Sequence, residues 1–455
     1  MESSSTAEST PKCCEARGAF CWGFLTLIFA LALGLRLVWV LGFPHAVEFP
    51  DEKSYLNIAD NFIDVGVLRV SIDPETDKPI PYPLEVHRPP VYPLTLALLT
   101  QLKMTPDGIR AAQAFFGALA CVMVYLLARR LAGEWPARIA GLLAAIDPFS
   151  IYFTGLFLSE TLFVLLFVTS WYYVVRMWQE LASGKPASEW VASVMVAGLS
   201  GAAAVLTRPE ALMVYALVPV AWLAVGPARL KGFVAALFFV LLLLVGMSPW
   251  VARNYKRTWD PETKSGRFVL TTCNVGESLY ESVGPFATGG PNKPDTAWPP
   301  ESDLLMHDEC ARDRLLFERS IDAVKADPLR ALRLAGVKVL RTWNIFPNYE
   351  GVRSTRNMAV SAAFIIPLYL AAILGVCAFC CRRELVWVIL PILAWTVLHA
   401  VFVGSVRYRV PMEPLLAVLA GAGIVWLASR VLGRRGVEGP GPCRGTEGTG
   451  DKGPG

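Results

Sequence analysis

Residues Gly18 to Tyr55 read GAFCWGFLTLIFALALGLRLVWVLGFPHAVEFPDEKSY. A helix rises 1.5 Å per residue, so an apolar stretch of about 20 residues is what a helix needs to cross the hydrocarbon of a bilayer. The run from 18 to 43 meets that length. It is long for a signal peptide and no clear small-residue cleavage site follows, so it reads as a retained anchor. Directly beyond it the chain turns acidic, at Asp51 and Glu52. A carboxylate held just above a bilayer can meet a polar group carried by a lipid, which suits a lipid-linked transferase better than a channel.

The rest of the chain repeats the pattern. Of 455 residues, 54% are hydrophobic, and the mean hydropathy is +0.45. These values point to an all-α polytopic membrane protein. Membrane-length apolar runs lie near 18–43, 109–131, 136–154, 159–178, 190–207, 210–227, 231–250, 359–381, 384–403 and 408–431, about ten transmembrane helices in all. Both chain ends then share one side. With the amino terminus inside, the inside connections carry Arg17, Arg129, Arg130, Arg138, Arg176, Lys185, Arg229, Lys231, Arg382, Arg383, Arg434 and Arg435, whereas the short outside ones carry Arg208, Arg407 and Arg409. Basic residues concentrate on the cytoplasmic side of membrane proteins, so this orientation is the expected one. The net charge of +4 is small and gives no indication of nucleic-acid binding.

The expected organisation is a cytoplasmic tail over 1–17, a transmembrane domain over 18–435 and a disordered tail over 436–455. The last is rich in Gly, Pro and charge, and Met1 to Thr10 is polar in the same way. Two outside loops are long, 44–108 and 251–358, and sites commonly sit on loops held by a rigid scaffold. The ten cysteines show no metal-ligand spacing. Cys273 and Cys310 share the second long loop and could pair in an oxidising compartment, whereas Cys13, Cys14, Cys377, Cys380 and Cys381 lie near the inside face.

After Asp51-Glu52, the apolar residues Tyr55, Ile58, Ala59 and Phe62 recur at helical spacing, so a short helix on the membrane surface is expected there. Asp51 could be catalytic, or it could cap that helix while Glu52 complements its dipole. The prolines at 79, 81, 83, 89, 90 and 93 predict a stiff extended path ending in His87-Arg88-Pro89-Pro90-Val91-Tyr92-Pro93. On such a path the Arg88 guanidinium could grip a phosphate with two prongs, or pair with lipid headgroups. Glu160 opens the fourth run within Ser159-Glu160-Thr161. It is either a functional carboxylate or a helix-start acid capped by Ser159.

Thr207-Arg208-Pro209-Glu210 lies on the same outside face, where Arg208 and Glu210 could be a local ion pair. Arg253-Asn254-Tyr255 closes the seventh run, and Arg407-Tyr408-Arg409-Val410-Pro411 opens the last. Aromatic belts and snorkelling arginines account for both clusters, as does an anionic ligand arriving from the lipid. Arg36, inside the first run, reads as a snorkelling residue. In the second long loop, Asn274, Gly276, Gly284, Gly289 and Gly290 mark turns, and Pro328 to Trp343 predicts a helix against the membrane. Carboxylates Asp51 and Glu160 and bases Arg88, Arg208, Arg253 and Arg407 thus all map to one membrane face.

In order and wording, Asp51-Glu52-Lys53-Ser54-Tyr55, Arg88-Pro89-Pro90-Val91-Tyr92-Pro93, Ser159-Glu160, Thr207-Arg208-Pro209-Glu210, Arg253-Asn254-Tyr255 and Arg407-Tyr408-Arg409-Val410-Pro411 resemble the GT-C membrane glycosyltransferases, in the branch of protein O-mannosyltransferases and bacterial aminoarabinose transferases. The resemblance implies a GT-C-like bundle whose extracytoplasmic loops carry short surface helices, placed in a bacterial inner (cell) membrane among its lipids. It implies a polyprenyl-phosphate sugar donor and a lipid, glycan or protein hydroxyl acceptor. Asp51 and Glu160 become the catalytic carboxylates, and Arg88 approaches the donor phosphate. Glu52, Tyr55, Tyr92, Arg208, Glu210, Arg253, Tyr255, Arg407, Tyr408 and Arg409 become binding residues. Arg88 stands where aminoarabinose transferases carry lysine. Some GT-C enzymes bind a divalent metal and others none, which two carboxylates without nearby histidines leave open. The competing reading is a transporter or flippase of a lipid-linked or anionic substrate. Such proteins bind near the midplane and often repeat their halves, and no such repeat is evident here.

Overall fold

The computed structural model describes residues 12–47, 49–226, 229–291, 308–380 and 382–433, with side chains from residue 22 onward except that of Arg229. Cys381, Arg434, Arg435, the segment Met1 to Thr10 and the tail from 436 lie outside the described residues, as do the side chains of Cys13, Cys14 and Arg17.

Helix α1 (Lys12–Gly42) is the first span and takes in residues 12–17, which the apolar run alone assigns to the tail. Helix α2 (Pro50–Val65) follows, with Phe49 as its N-cap. Its capping carboxylate is Glu52, which accepts the Phe49 N–H at 3.1 Å. Asp51 therefore does not cap the helix. The expected apolar face is buried through Tyr55, Ile58 and Ala59. Strands β1 (Val70–Ile72) and β2 (Pro79–Leu84) pair antiparallel, with Val70 opposite Leu84 and Ile72 opposite Pro79. Both are edge strands, where proline is tolerated. Helix α3 (Val91–Gln101) then packs against α2. Tyr92 and Pro93, expected on an extended path, are helical, because a proline in the first turn forfeits an N–H that has no partner there anyway.

The bundle continues with α4 (Pro106–Ala132), α5 (Glu134–Ile146), α6 (Pro148–Thr154), α7 (Glu160–Ala182), α8 (Ala187–Val205), α9 (Ala211–Ala216), α10 (Val218–Val225) and α11 (Arg229–Arg257). The second long loop carries α12 (Val275–Val283), α13 (Glu309–Ala326) and α14 (Pro328–Thr342). Three more helices close the chain: α15 (Thr355–Phe379), α16 (Val386–Val401) and α17 (Glu413–Val431). Among the described residues eight helices are long and apolar enough to cross a membrane. They comprise α1, α4, α7, α8, α11, α15, α16 and α17, the last two together with the short 3-10 turns that precede them.

The other two expected spans are broken. Pro148 disfavours helical backbone at Asp147, which is extended (φ −60°, ψ 113°). Asp147 then starts α6 afresh by accepting the Phe149 N–H at 3.0 Å. The run over 210–227 divides into α9 and α10 at Leu217, just before Pro219.

In lipid the helices are held by close packing and by hydrogen bonds more than by apolar burial. Helices α15 and α17 touch backbone to backbone. A Cβ at Gly375 would lie 2.0 Å from the Leu419 carbonyl oxygen, and one at Gly423 2.1 Å from that of Ala371. At the centre, Phe163, Phe167 and Trp171 of α7 stack in sequence, with Trp395 stacked on Phe163 and Tyr215 tilted against Phe167. Trp171 Nε1 donates to the Trp387 carbonyl at 2.6 Å.

This second long loop is pinned over the segment that leads to Arg88. Cys273 and Cys310 form a disulfide, and the Cys273 N–H donates to the Val86 carbonyl at 2.9 Å. Glu309 accepts the N–H groups of Glu85 and Val86 at 2.9 and 3.0 Å. The expected helix after Pro328 is α14, which turns Leu329, Leu332 and Leu340 outward. Its buried Lys338 donates to Ser282 Oγ at 2.6 Å and to the Val401 carbonyl at 2.7 Å, tying loop to bundle.

Candidate active site

Five distant pieces of sequence meet where α2, the turn before α3, the start of α7, the turn between α8 and α9 and the turn before α17 come together. Asp51, in the first turn of α2, receives Arg88 Nη2 on Oδ1 and Arg407 Nη1 on Oδ2, the latter at 2.5 Å. Arg407 turns its Nε to Glu160 Oε1. Arg208 Nη1 reaches that same oxygen at 2.8 Å and its Nη2 reaches Glu210 at 3.2 Å. The result is an alternating chain, Arg88–Asp51–Arg407–Glu160–Arg208–Glu210. The local pair expected of Arg208 and Glu210 exists, but it is one end of this longer chain.

The chain is closed at its middle, at Glu160 and Arg208, and partly open at both ends. The side chains of Asp51, Arg88 and Arg407 keep about a quarter of their surface exposed (26%, 22% and 22%), whereas Glu160 keeps none. Charges so placed are costly unless matched, and each is matched here. For Arg88, burial is the largest influence and opposes the charge, yet Asp51, Tyr55 and Glu277 together hold the guanidinium above its ordinary value. Ser159 does not cap α7; its hydroxyl meets Tyr55 instead.

The remaining expected residues divide. Tyr55 lies under Arg88, 5.6 Å from guanidinium carbon to ring centre. Tyr408 lies under Arg208 at 5.4 Å. Tyr92 packs edge-on against Tyr55 and donates to Gln113 Oε1 at 2.7 Å, one layer below the ion chain. Glu52 is fully buried, and its other oxygen accepts the Phe157 N–H at 2.8 Å. It thereby fixes α2 to the segment preceding α7.

Arg253, Tyr255 and Arg409 are not brought into the chain. Arg253 donates to the carbonyls of Glu85 at 2.6 Å and Leu68 at 2.8 Å. Tyr255 is exposed beside Trp259. Arg409 is buried, bonded to Glu413 at 2.8 Å and to the Asn344 carbonyl.

Sequence reading passed over three residues. Glu277 of α12 lies 4.0 Å from His87, beside Arg88, so the second long loop reaches the site. Asp147 and Glu413 hydrogen-bond to each other inside the bundle. The signal for Asp147 was an Asp-Pro pair interrupting an apolar run. Arg36 is a correction: it is buried rather than snorkelling. Its guanidinium donates to the carbonyls of Ala32, Ala144 and Ala145 at 3.2, 3.3 and 3.1 Å, meeting acceptors at the end of α5, where the break leaves them without helical partners. As for a metal, Asp51 and Glu160 are engaged by guanidinium groups. No three His, Cys, Asp or Glu side chains gather as a ligand set among the described residues. The donor set does not fit a divalent ion.

Residues 87–252 match the family model described as dolichyl-phosphate-mannose-protein mannosyltransferase. No curated protein matches the chain in sequence. The fold is similar to the crystal structure of the Archaeoglobus fulgidus oligosaccharyltransferase in its apo form, at 14% identity and a TM-score of 0.57, over 90% of this chain and 51% of that one. It is similar also to the oligosaccharyltransferase AglB of the same organism in complex with an inhibitory peptide and a dolichol-phosphate, at 15% identity and a TM-score of 0.52, over 92% and 53%. ArnT from Cupriavidus metallidurans bound to undecaprenyl phosphate aligns at 14% identity and a TM-score of 0.44, over 91% and 81%. The chain spans about half the length of the oligosaccharyltransferases it matches. It is a multi-pass integral membrane protein with the fold of the GT-C glycosyltransferases, and over residues 87–252 it matches the sequence model of the mannosyltransferase family.

Proposed function

We propose that the protein is a membrane glycosyltransferase that moves a sugar from a polyprenyl-phosphate donor to a hydroxyl of a lipid, glycan or protein on the extracytoplasmic face. The observation that carries this reading is the Asp51 carboxylate held between Arg88 and Arg407. An acceptor hydroxyl needs a base, and a departing phosphate needs cations. Both are present within one hydrogen-bonded group.

The pairing also supplies a sequence of events. A lipid phosphate competes for the forks of Arg88 and Arg407, since guanidinium binds phosphate through paired N–H donors. As the guanidinium groups turn to the phosphate, Asp51 loses the contacts that quench its basicity. The acceptor oxygen then attacks the anomeric carbon, the carbon–oxygen bond to phosphate breaks, and the hydroxyl proton passes to Asp51. Polyprenyl phosphate leaves with its added negative charge on Arg88 and Arg407. Glu160 holds Arg407 in place from below, with Arg208 balancing its charge.

The test is to incubate purified protein with a panel of polyprenyl-phosphate sugars and follow donor loss. Consumption of at least one donor with release of polyprenyl phosphate is expected. Failure to bind or consume any member would remove the reading.

A further inference from the structure

The segment between β2 and α3 brings Arg88 to the ion chain without secondary structure of its own. Backbone N–H and C=O groups need partners wherever they are buried, and a chain with no helix or ladder of its own must find them elsewhere. At Glu85 and Val86 all four are taken, and every partner comes from α11 or the loop that follows it. Glu309 accepts both N–H groups on one oxygen, at 2.9 and 3.0 Å. Arg253 donates to the Glu85 carbonyl at 2.6 Å, and the Cys273 N–H donates to the Val86 carbonyl at 2.9 Å.

Two of these partners are tied to each other. Cys273 is bonded to Cys310, the residue after Glu309, across a sequence separation of 37. Both cysteines pack with the buried Val86 in a small apolar cluster separate from the main core. The disulfide therefore holds the Cys273 N–H and the Glu309 carboxylate on the same stretch of backbone. Arg88 lies two residues further on, a reach of at most about 7 Å. Pro89 and Pro90 stiffen its far side, so a shift at Val86 passes to the Arg88 guanidinium instead of being absorbed.

We propose that Glu309 and the Cys273–Cys310 disulfide are positioning groups for Arg88, holding the backbone at 85–86 so that its guanidinium is set to receive the lipid phosphate. The proposal rests on the glycosyltransferase reading above and adds that donor affinity is set from the second long loop.

Full-length protein in nanodiscs is titrated with polyprenyl phosphate, and the dissociation constant is compared among variants. Glu309→Ala is expected to weaken binding by at least about fivefold, and the Cys273→Ala/Cys310→Ala pair by at least about threefold. Glu309→Gln, whose amide oxygen still accepts both N–H groups, is expected to stay within about twofold of wild type. The deciding comparison is made on an Arg88→Ala background, which keeps Arg407 to bind the lipid. There Glu309→Ala is expected to cost no more than about a further twofold, because groups that act through one residue are not additive. The loop base is also tied by Arg267 to both oxygens of Asp308, at 2.9 and 2.7 Å. If Glu309→Ala does not insert, the cysteine pair, which keeps that tie, carries the same comparison on both backgrounds. Wild-type affinity in either clasp variant, or its full loss repeated on the Arg88→Ala background, overturns the positioning role and leaves the glycosyltransferase reading standing. If the wild type does not bind polyprenyl phosphate, that reading falls and the proposal with it.

Discussion

Asp51 and Glu52 are adjacent, identical in charge and opposite in duty. Glu52 accepts two backbone N–H groups, from Phe49 and Phe157, and so holds the start of α2. That leaves Asp51 to the arginines. Replacing Asp51 by Asn should therefore leave insertion and thermal stability close to wild type while removing transfer, because the isosteric amide is no base. Transfer at the wild-type rate by Asp51→Asn protein would take Asp51 out of the chemistry. Glu160→Gln keeps the shape but drops the charge that steadies Arg407. It should lower turnover by roughly tenfold or more, a common size for losing such a group, with unchanged amounts of inserted protein. Arg88→Lys should weaken donor use less than Arg88→Ala, since lysine keeps charge without the fork; equal donor KM in all three proteins would remove Arg88 from the donor site. At this scale the sequence was legible in part. Which carboxylates and bases share a face follows from counting spans, so Asp51, Arg88, Glu160, Arg208 and Arg407 could be gathered from the text alone. Which of them bond could not, since Arg407 meets Asp51 across 356 positions. Arg253, equally basic and equally interfacial in sequence, spends its donors on the backbone carbonyls of a loop whose path no local pattern records.

Among the elements, the second long loop and the segment over 84–88 form a pH-sensitive contact. Burial pushes the Glu309 carboxyl up to about 7, against the opposing effect of the Val86 and Glu85 N–H groups. An acid whose folded pKa is raised contributes its stability below the unfolded value, ordinarily about 4.3 for glutamate, and that contribution is lost as pH rises through the folded value. The latch should therefore weaken between mildly acidic pH and pH 8. Glu309→Gln, which cannot ionise, should lose much of this dependence. Thermal midpoints of the two proteins measured from pH 5 to pH 8 should diverge, with the wild type falling relative to the variant; parallel curves would show that Glu309 does not set the latch. The existence of α2 and α14 could be read from helical spacing. The breaks at Asp147 and Leu217 lay in plain view as prolines, yet apolar run length outweighed them. The start of α3 was obscured by the same rule in reverse, because a proline that ends a helix also opens one.

For the molecule as a whole, the all-α membrane class follows from hydropathy alone, and the GT-C fold from motif order. What composition could not supply is the depth of the polar interior. Arg36, Asp147 and Glu413 sit in stretches that look apolar, and only packing brings them to one cavity below Glu160. The central claim is that Arg88 and Arg407 release Asp51 to take a lipid phosphate. A structure of the full chain with polyprenyl phosphate bound tests it most directly. The account predicts the phosphate within hydrogen-bond distance of both guanidinium groups, with the Asp51 contacts to them lengthened or lost. A phosphate bound elsewhere, or held while Asp51 keeps both arginine contacts unchanged, would contradict it.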